Sequence, residues 1–370
     1  MPMEFHGAHL SYCMNVHPAR DLPQVLANIR DYTVPVRRQL CPEAPFGLGI
    51  WLPEQAVRDV RAEISLLRAL LDEENLYLFT INGFPYGVFH GARVKQNVYY
   101  PDWSEEARVT YTTDLIDILA EFLPDDVEGS VSTVPVTYGK ELPAAAMTNL
   151  LRVAEYARTT REQTGRRIWI ALEPEPDCYL ENTAETIAFF DDLRKLDGGV
   201  TEVIGVCFDT CHLCLQGENL AVSLRRLLEN GIQIPKVQIS AALRFENDGG
   251  RSARECLGAY DEPVYLHQTR VFPNGEDAVL GFKDLGDALA ANPIGTWLIH
   301  FHVPLPFDGQ GQVSSTNMEI SAEFLDLVLQ QTPNIEIETY TFDVLPPPKP
   351  GIVESIVGEF RWLESRLSAC

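Results

Sequence analysis

The sequence predicts a single (β/α)8 barrel that spans residues 1–370, with an excursion around 241–296. Short β-rich runs alternate with amphipathic helical stretches along the chain, which is typical of a parallel sheet. An open doubly wound sheet alternates in the same way, so the periodicity alone does not separate the two folds. The closed barrel is favoured because polar residues repeatedly occupy one strand face near the carboxyl end, as they do at a barrel mouth.

The strands are predicted near 8–13, 46–52, 76–82, 129–136, 168–174, 203–209, 235–240, 297–303 and 334–340. Helices are predicted between them from apolar residues at three-to-four spacing, over 56–74, 112–122, 144–164, 183–196, 219–230 and 318–331. The excursion is rich in Gly, Asn and charged residues and holds one helical piece at 282–291. After the proline-rich segment 346–350, residues 352–367 are predicted to form the helix that completes the ring.

Three acidic residues occupy matching positions near strand ends. Because successive side chains alternate across a strand, Glu173 lies on the face opposite Ile170 and Leu172. Asp209 and Glu338 end two later predicted strands in the same way. In a barrel this face points inward, so the three carboxylates are expected to meet at the mouth.

Carboxylates that meet at one mouth predict a bound divalent metal ion, because an anionic carboxylate is costly to bury alone. Acidic ligands with one or two histidines suit Mn²⁺, Mg²⁺, Co²⁺ or Zn²⁺, and the sequence does not choose among them. His212 follows Asp209 by three residues, so both can face the mouth where the strand gives way to a helix. His300 and His302 share a strand face, and His302 is the preferred ligand because it lies nearer the strand end.

Several strings resemble known families. The chain resembles the xylose isomerase-like barrel superfamily in three strings: ALEPE at 171–175, DTCH at 209–212 and IEIETYT at 335–341. This superfamily includes sugar-phosphate isomerases, ketose epimerases and endonuclease IV. The chain also resembles the EboE metabolite-traffic family, in the strings HLSYCMNVHP at 9–18, APFGLGIWL at 44–52, TINGFPYG at 80–87, KVQISAALRF at 236–245 and FHVPL at 301–305. This second resemblance covers nearly the whole chain.

The first resemblance implies a set of metal ligands. In the epimerases, strands five to eight supply Glu, Asp, His and Glu, and the matching positions here are Glu173, Asp209, Gln238 and Glu338. A glutamine therefore replaces the histidine of strand seven. Gln238 can offer an amide oxygen, or His302 can supply the imidazole instead. Both 236–240 and 297–303 thus remain candidates for strand seven, and we favour 236–240, with His267 and His302 folding over the mouth.

The resemblance also implies an activity: a metal-dependent isomerase or epimerase that acts on a sugar-like or cyclitol metabolite in the making or traffic of a secreted compound. Glu173 and Glu338 would act as acid and base at a metal-bound substrate, and His212 would contact the metal or the substrate. Glu175 is either a further carboxylate beside the site or a solvated loop residue. Further candidates for substrate contacts lie at strand ends or in loops: His9, Asn15, Trp51, Asn82, Phe84, His267, and also His17, Tyr86 and Lys140.

The net charge of −24, from 29 basic and 53 acidic residues, disfavours nucleic acid and anionic membranes as partners. A small-molecule polyol or cyclitol is the expected partner, and barrels of this superfamily often pair, which implies a possible homodimer. No apolar run reaches the roughly 20 residues of a membrane span, and the start lacks the pattern of a signal peptide, so we expect a cytoplasmic protein without direct membrane insertion.

Two other functions remain open from the sequence. A non-catalytic metabolite-binding barrel is one, because Gln238 in place of histidine is compatible with a degraded metal site. A metal-dependent phosphoester hydrolase like endonuclease IV is the other. It is disfavoured because such a nuclease needs more histidines and a basic surface.

Overall fold

A computed structural model describes residues 4–5, 7–91, 93–273, 279–309 and 311–367. Its strands are β1 (Glu4–Phe5), β2 (Ala8–Tyr12), β3 (Phe46–Trp51), β4 (Leu76–Asn82), β5 (Gly129–Thr133), β6 (Ile168–Leu172), β7 (Ile204–Asp209), β8 (Lys236–Ile239), β9 (Leu243–Asn247), β10 (Thr269–Phe272), β11 (Leu280–Phe282), β12 (Gly295–Ile299), β13 (Val313–Ser315) and β14 (Asn334–Ile337). Its α-helices are α1 (Leu22–Asn28), α2 (Val34–Leu40), α3 (Glu54–Ala62), α4 (Ile64–Glu73), α5 (Glu106–Phe122), α6 (Ala146–Thr164), α7 (Thr183–Leu196), α8 (Thr210–Leu215), α9 (Leu220–Glu229), α10 (Ala253–Leu257), α11 (Leu285–Ala291), α12 (Ala322–Gln331) and α13 (Ile352–Leu367).

Parallel strands form the barrel, in the order β2, β14, β8, β7, β6, β5, β4 and β3. A single parallel bridge between Cys13 and Gly49 joins β3 back to β2, so the ring is nearly closed. The prediction of a (β/α)8 barrel is confirmed. The carboxyl ends of all these strands meet at one mouth, which is where such barrels place their functional groups.

The seam between β2 and β3 depends on Gly49. A Cβ atom there would collide with the carboxylate of Glu336 and would lie 2.7 Å from Ser11 Oγ and 2.9 Å from the Tyr12 carbonyl oxygen. Glu336 in turn pairs with Lys236 at 2.6 Å, and both side chains are fully buried inside the barrel. A charged pair therefore fills the barrel below the mouth, at a point where only glycine leaves room for it.

Strand seven of the barrel is β8, as favoured above. It pairs in parallel with both β7 and β14. The alternative, 297–303, is wrong: β12 pairs antiparallel with β9 and β10 in a separate five-stranded sheet. Trp297 and Ile299 are fully buried and Leu298 is nearly so. A strand buried on both faces has the same apolar pattern in either sheet, which explains why the two could not be separated.

The excursion is larger than the predicted 241–296. The five strands of its sheet run from Leu243 to Ser315, and the chain returns to the barrel through α12. We call residues 241–320 the insert. The predicted helical piece at 282–291 corresponds to α11, Leu285–Ala291.

Some helices differ from the prediction. Residues 22–40, where no helix was predicted, form α1 and α2 with one π-helical turn between them. Pro23 and Pro35 lie in the first turns of these helices, where proline is tolerated although it reads as a helix breaker. The predicted helix 56–74 is broken at Glu63 into α3 and α4, and α5 begins at Glu106 instead of 112.

Two segments cover the mouth. The loop after β4 meets the insert through Val94 and Lys95, whose backbone N–H groups donate to the Val264 carbonyl at 2.9 and 3.1 Å. Lys95 Nζ also pairs with Asp284 at 2.6 Å. The floor of the mouth therefore comes from the barrel and its roof from this loop and the insert. Among the described helices, none has the length and apolar character that crossing a bilayer requires.

Candidate metal centre

The predicted carboxylates do meet at the mouth. Glu173 follows β6, Asp209 ends β7 and Glu338 follows β14, and one oxygen from each lies within 4.8 Å of the other two. All three side chains are buried. The structure thus brings together, on three strand ends, acidic groups that are far apart in the chain.

Hydrogen bonds fix two of these carboxylates. Asp209 Oδ1 caps α8 by accepting the His212 backbone N–H at 3.0 Å, and it also accepts the Ser240 hydroxyl at 2.8 Å. The Oε1 atom of Glu338 accepts from the side-chain amides of Asn15 at 2.7 Å and Asn82 at 3.1 Å.

Two oxygen atoms of the three carboxylates lack a hydrogen-bond donor in the described structure. Glu173 Oε2 and Asp209 Oδ2 are buried and have no hydrogen-bond partner among the described residues. Buried anionic oxygens without donors are costly, so these atoms fit a bound cation.

The acid–base properties agree with crowded, buried acids. Burial, followed by the charges of neighbouring carboxylates, raises the pKa of Glu173 and of Glu338 well above the usual value. Burial also raises the pKa of Glu175, to about 7. Burial acts to raise the pKa of Asp209 too, but the charges of His212 and His302 and its hydrogen bonds outweigh it and lower this pKa. A divalent ion would compete with protons for the carboxylates of Glu173 and Glu338.

Three histidines border the carboxylates. His212 comes from α8, and His300 and His302 follow β12 of the insert. The Nε2 atom of His212 lies 3.1 Å from Nε2 of His300 and 3.2 Å from Nε2 of His302. Burial lowers the pKa of His300, and it lowers that of His302 to about 4. Both are therefore neutral at pH 7, the form that binds metals.

Glu175 belongs to the site, which resolves the alternative left open by the sequence. Its side chain is buried, and its Oε2 atom accepts the Tyr99 hydroxyl at 2.6 Å. Gln268 donates to the same hydroxyl at 3.0 Å and accepts from His300 Nδ1 at 2.7 Å. One chain of contacts thus links Glu175 of the barrel to His300 of the insert.

The cavity above the acids has a volume of about 40 Å³ and is lined by both polar and aromatic side chains. Aromatic rings form much of its wall: Phe84, Phe89, Tyr99, Tyr265 and Tyr340. A ligand above the carboxylates would therefore contact these rings.

The predicted substrate contacts divide into three groups, of which two lie at or near the cavity. Asn15, Asn82, Phe84 and His212 line the cavity. Trp51 and His267 lie near it but in its supporting structure. The indole of Trp51 donates to the Pro85 carbonyl at 2.8 Å. Both ring nitrogens of His267 are engaged, with the His300 carbonyl and with Glu262.

His9 is not brought to the mouth. It pairs with Asn334 at the first residue of β14, which places it at the amino end of the barrel, and its ring contacts Tyr77. The sequence prediction placed it at a strand end without distinguishing the two ends. His17 and Lys140 also lie elsewhere: His17 hydrogen-bonds Tyr12, and Lys140 pairs on the surface with Glu181 and Glu185.

Gln238 lies inside the barrel at the level of Asp209, its strand neighbour. Its Oε1 atom accepts from the Cys207 thiol at 3.0 Å, and its Nε2 atom has no described partner. The amide oxygen that the resemblance would assign to a metal is therefore already used.

Sequence reasoning missed several residues of the cavity wall. Tyr99, Tyr265 and Tyr340 line the cavity, and Gln268 supports it by donating to Tyr99; all four lie in loops or short turns, where no periodic pattern points to a direction. The only available signal was the concentration of aromatic residues between 84 and 100, which is unusual for a solvated loop.

Comparisons with known proteins agree with this architecture. A family model described as xylose isomerase-like TIM barrel matches residues 46–308. A xylose isomerase-like TIM barrel protein from Mycobacterium smegmatis, solved in complex with magnesium, is 14% identical over 98% of each chain, with a TM-score of 0.56. A D-tagatose 3-epimerase-like protein is 14% identical over 98% of this chain and 97% of its own, with a TM-score of 0.51. No curated protein sequence matches the chain.

Proposed function

The chain belongs to the xylose isomerase-like TIM barrel family, and from that premise we propose that it is a metal-dependent isomerase or epimerase of a sugar-like or cyclitol metabolite. The observation that supports this function best is the set of three carboxylates at the mouth, with two buried oxygens that have no hydrogen-bond partner in the described structure. The magnesium complex of the Mycobacterium smegmatis protein is consistent with an ion at such a mouth.

Glu173, Asp209 and Glu338 are the proposed ligands of the ion. When bound, a divalent ion would polarise a carbonyl or hydroxyl oxygen of the substrate and stabilise the negative charge of an enediolate. Gln238 is left out of this set because its oxygen accepts from Cys207. His302, the other predicted ligand, lies in a separate group of candidate ligands with His212 and Asp209, and its Nε2 atom is 3.2 Å from that of His212.

Glu173 and Glu338 also carry the proposed proton transfer. One carboxylate removes a proton from the carbon beside the carbonyl, and the other, as a carboxylic acid, returns a proton to the opposite face. Each carboxylate's charge favours the protonated form of its neighbours, so the pair supplies both a base and an acid. Asn15 and Asn82 orient the Glu338 carboxylate through the one oxygen to which both donate.

Deuterium exchange tests the proposal. The purified full chain, supplied with Mn²⁺, would be incubated with D-tagatose, D-fructose or myo-inosose in deuterium oxide, and carbon-bound deuterium would be followed by NMR. We expect exchange beside the carbonyl in at least one of these compounds and its loss in Glu173→Gln and Glu338→Gln. Glu155→Gln, at an exposed carboxylate, is the matched control and should exchange normally.

A non-catalytic metabolite-binding barrel is the second candidate, and the engaged oxygen of Gln238 favours it. It predicts that the chain binds one equivalent of Mn²⁺ and one of these compounds without deuterium exchange. If none of Mn²⁺, Mg²⁺, Co²⁺ and Zn²⁺ binds, both forms of the proposal are wrong.

Three further parts of the proposal rest on resemblance and composition alone: membership of the EboE branch, a cytoplasmic location and a homodimer. Co-purification with other enzymes of a secreted-metabolite pathway, cell fractionation and sedimentation analysis test them in turn.

A further inference from the structure

We propose that the substrate carries a positively charged amino group, as in an amino-substituted sugar or cyclitol, and that Glu175 and the aromatic wall of the cavity bind this group. This substrate class refines the proposed function and rests on it. Glu175 is not one of the three proposed metal ligands, so the amino group and the ion have separate partners.

The charges around the cavity disfavour an anionic substrate. Among the described residues that line it, Lys95 is the only lysine or arginine, and its Nζ atom pairs with Asp284 at 2.6 Å. Four buried carboxylates surround the mouth: Glu173, Glu175, Asp209 and Glu338. With one of them protonated as the proposed acid and a divalent ion bound, one negative charge is left. A phosphate or carboxylate group would add to it, whereas an ammonium group would balance it.

Glu175 has an oxygen that is open to such a group. The side chain is buried and lines the cavity. Its Oε2 atom accepts the Tyr99 hydroxyl at 2.6 Å, whereas its Oε1 atom has no donor within hydrogen-bond distance among the described residues and lies 3.8 Å from His212 Nε2. A buried carboxylate oxygen without a donor is costly, so this atom favours a ligand that donates.

Asn15 adds a second oxygen of this kind. Its Nδ2 atom donates to Glu338, which fixes the orientation of the amide. Its Oδ1 atom is buried and has no hydrogen-bond partner in the described structure, although the residue lines the cavity. The amide of Asn82 already donates to Cys13 and to Glu338. The polar part of the wall therefore has oxygens that can accept, while its amide donors are engaged.

The hydroxyl proton of Tyr265 is engaged as well. His90 Nε2 lies 2.5 Å from the Asn15 carbonyl oxygen, which only accepts, so this nitrogen carries a proton. Burial lowers the pKa of His90, and the ring is therefore neutral at pH 7. Its Nδ1 atom then accepts from the Tyr265 hydroxyl at 2.6 Å. The phenol oxygen of Tyr265 keeps its lone pairs and is a further acceptor.

Aromatic ring faces complete the site. The ring centroid of Phe89 lies 5.2 Å from that of Tyr265 and 5.1 Å from that of Tyr340. Phe84 and Tyr99 form a second pair of the wall, with centroids 5.5 Å apart. The faces of such rings are electron-rich and attract ammonium groups. Since an ammonium group donates hydrogen bonds and accepts none, it matches a wall of ring faces and oxygens without donors.

Three compounds that share one carbon skeleton test the substrate class: 1-amino-1-deoxy-D-fructose, D-fructose and D-fructose 1-phosphate. They differ in charge at carbon 1. The full chain, loaded with Mn²⁺, would be titrated with each by calorimetry at a pH where the amine is protonated. We expect the amine to bind at least about tenfold more tightly than D-fructose, the size of one buried cation–aromatic contact, and the phosphate to bind most weakly.

Variants assign the preference to the proposed residues. Glu175→Gln keeps an oxygen that accepts from Tyr99 but removes the charge, so the ratio of the amine and D-fructose affinities should fall to about one. Tyr265→Leu keeps an apolar side chain without a ring face and should lower the ratio about threefold. Glu155→Gln, at an exposed carboxylate, is the matched control and should keep the wild-type ratio. Bound Mn²⁺, measured by elemental analysis, should stay at one equivalent in all three variants.

Several results would overturn the substrate class: equal binding of the three compounds, tighter binding of the phosphate, or no binding of the amine. A preference for the amine that survives Glu175→Gln would place the amino group elsewhere and overturn its assignment. Loss of Mn²⁺ in Glu175→Gln would do the same, because Glu175 would then be a metal ligand.

Deuterium exchange separates these failures from failure of the proposed function. If D-tagatose, D-fructose or myo-inosose exchanges while the amine is not preferred, the isomerase or epimerase function stands and the substrate class is wrong. Amine binding that Glu175→Gln abolishes, without deuterium exchange in any compound, would instead support the ammonium site and overturn the proposed catalysis.

Discussion

The mouth of this barrel has two sides built in different ways. On the acidic side, Glu173, Asp209 and Glu338 lie at the ends of three barrel strands, so the sheet itself sets their positions. On the histidine side, His300 and His302 come from the insert and are positioned by contacts that include those with Gln268, Tyr340 and the Glu338 carbonyl. The acidic side is therefore rigid because of the fold, whereas the histidine side depends on how the insert docks.

The largest expected effect lies beneath the acidic side. Lys236→Met would leave Glu336 buried without its partner, and breaking a buried ion pair in this way costs about 3–5 kcal/mol. Urea unfolding would measure the loss. Arg152→Met, which breaks the exposed pair with Glu106, is the matched control and should cost no more than about 1 kcal/mol. Equal losses in both variants would show that the barrel interior tolerates the unpaired charge.

The stability of the contact between the barrel and the insert should depend on pH. Glu359 Oε1 accepts the Thr339 hydroxyl after β14 at 2.5 Å and the Leu305 N–H of the insert at 3.2 Å. Burial raises the pKa of Glu359 from 4.5 to about 7. The pKa of Glu359 is higher in the folded state than in the unfolded state. Its contribution to the free energy of unfolding is therefore complete below about pH 4.5 and is lost as the pH rises through 7.

Glu359→Gln keeps an oxygen acceptor and removes the titration. Between pH 5 and pH 8 the free energy of unfolding of the wild type should therefore fall by up to about 3 kcal/mol more than that of the variant, at about 1.4 kcal/mol per pKa unit. Urea unfolding of both proteins at the two pH values provides the measurement. Parallel pH profiles would show that Glu359 is already ionised at pH 5.

Ion binding should stabilise the acidic side by a comparable amount. Mn²⁺ at 100 times its Kd should raise the free energy of unfolding by about 2.7 kcal/mol, because only the folded mouth assembles the carboxylates. Thermal unfolding with Mn²⁺ and with a chelator would show the difference. Glu173→Gln should lose most of this gain, while Glu155→Gln should retain it. A gain that survives Glu173→Gln would place the ion elsewhere.

The smallest effect on global stability is expected in the roof. Lys95→Gln removes the pair with Asp284, which is partly exposed, so the cost should stay below about 1 kcal/mol. Locally the effect should be clear: the Val94 and Lys95 amides, which bond to Val264, should exchange with solvent faster. Hydrogen exchange would detect this change. Lys195→Gln, at a surface pair within one helix, should leave these amides unaffected.

The same contrast explains what the sequence could predict. The barrel and its acidic residues followed from periodicity, because a strand of alternating faces fixes which side chains meet at the mouth. The choice of Lys236–Ile239 over 297–303 needed the family resemblance, since both segments are short and each holds a candidate ligand, Gln238 or His302. His9 shows the limit of this reasoning, because a pattern of alternating faces does not say which end of a strand a residue occupies.

The histidine side could be predicted only in part. His302 was preferred over His300 because it lies nearer the strand end, yet both reach His212, since the chain leaves β12 without regular structure and turns over the mouth. Gln268 and Tyr340 could not be placed at the site because their positions come from contacts between segments that are distant in sequence. Helices α1 and α2 were missed for a different reason: prolines in first turns read as breakers.

The origin of His300 and His302 on the insert has a consequence for how the site is assembled. Both histidines lie beside His212 only while the insert is docked on the barrel. The three carboxylates, in contrast, are held by the barrel strands themselves. An opening of the insert would therefore take the two imidazoles away and leave the acidic side in place.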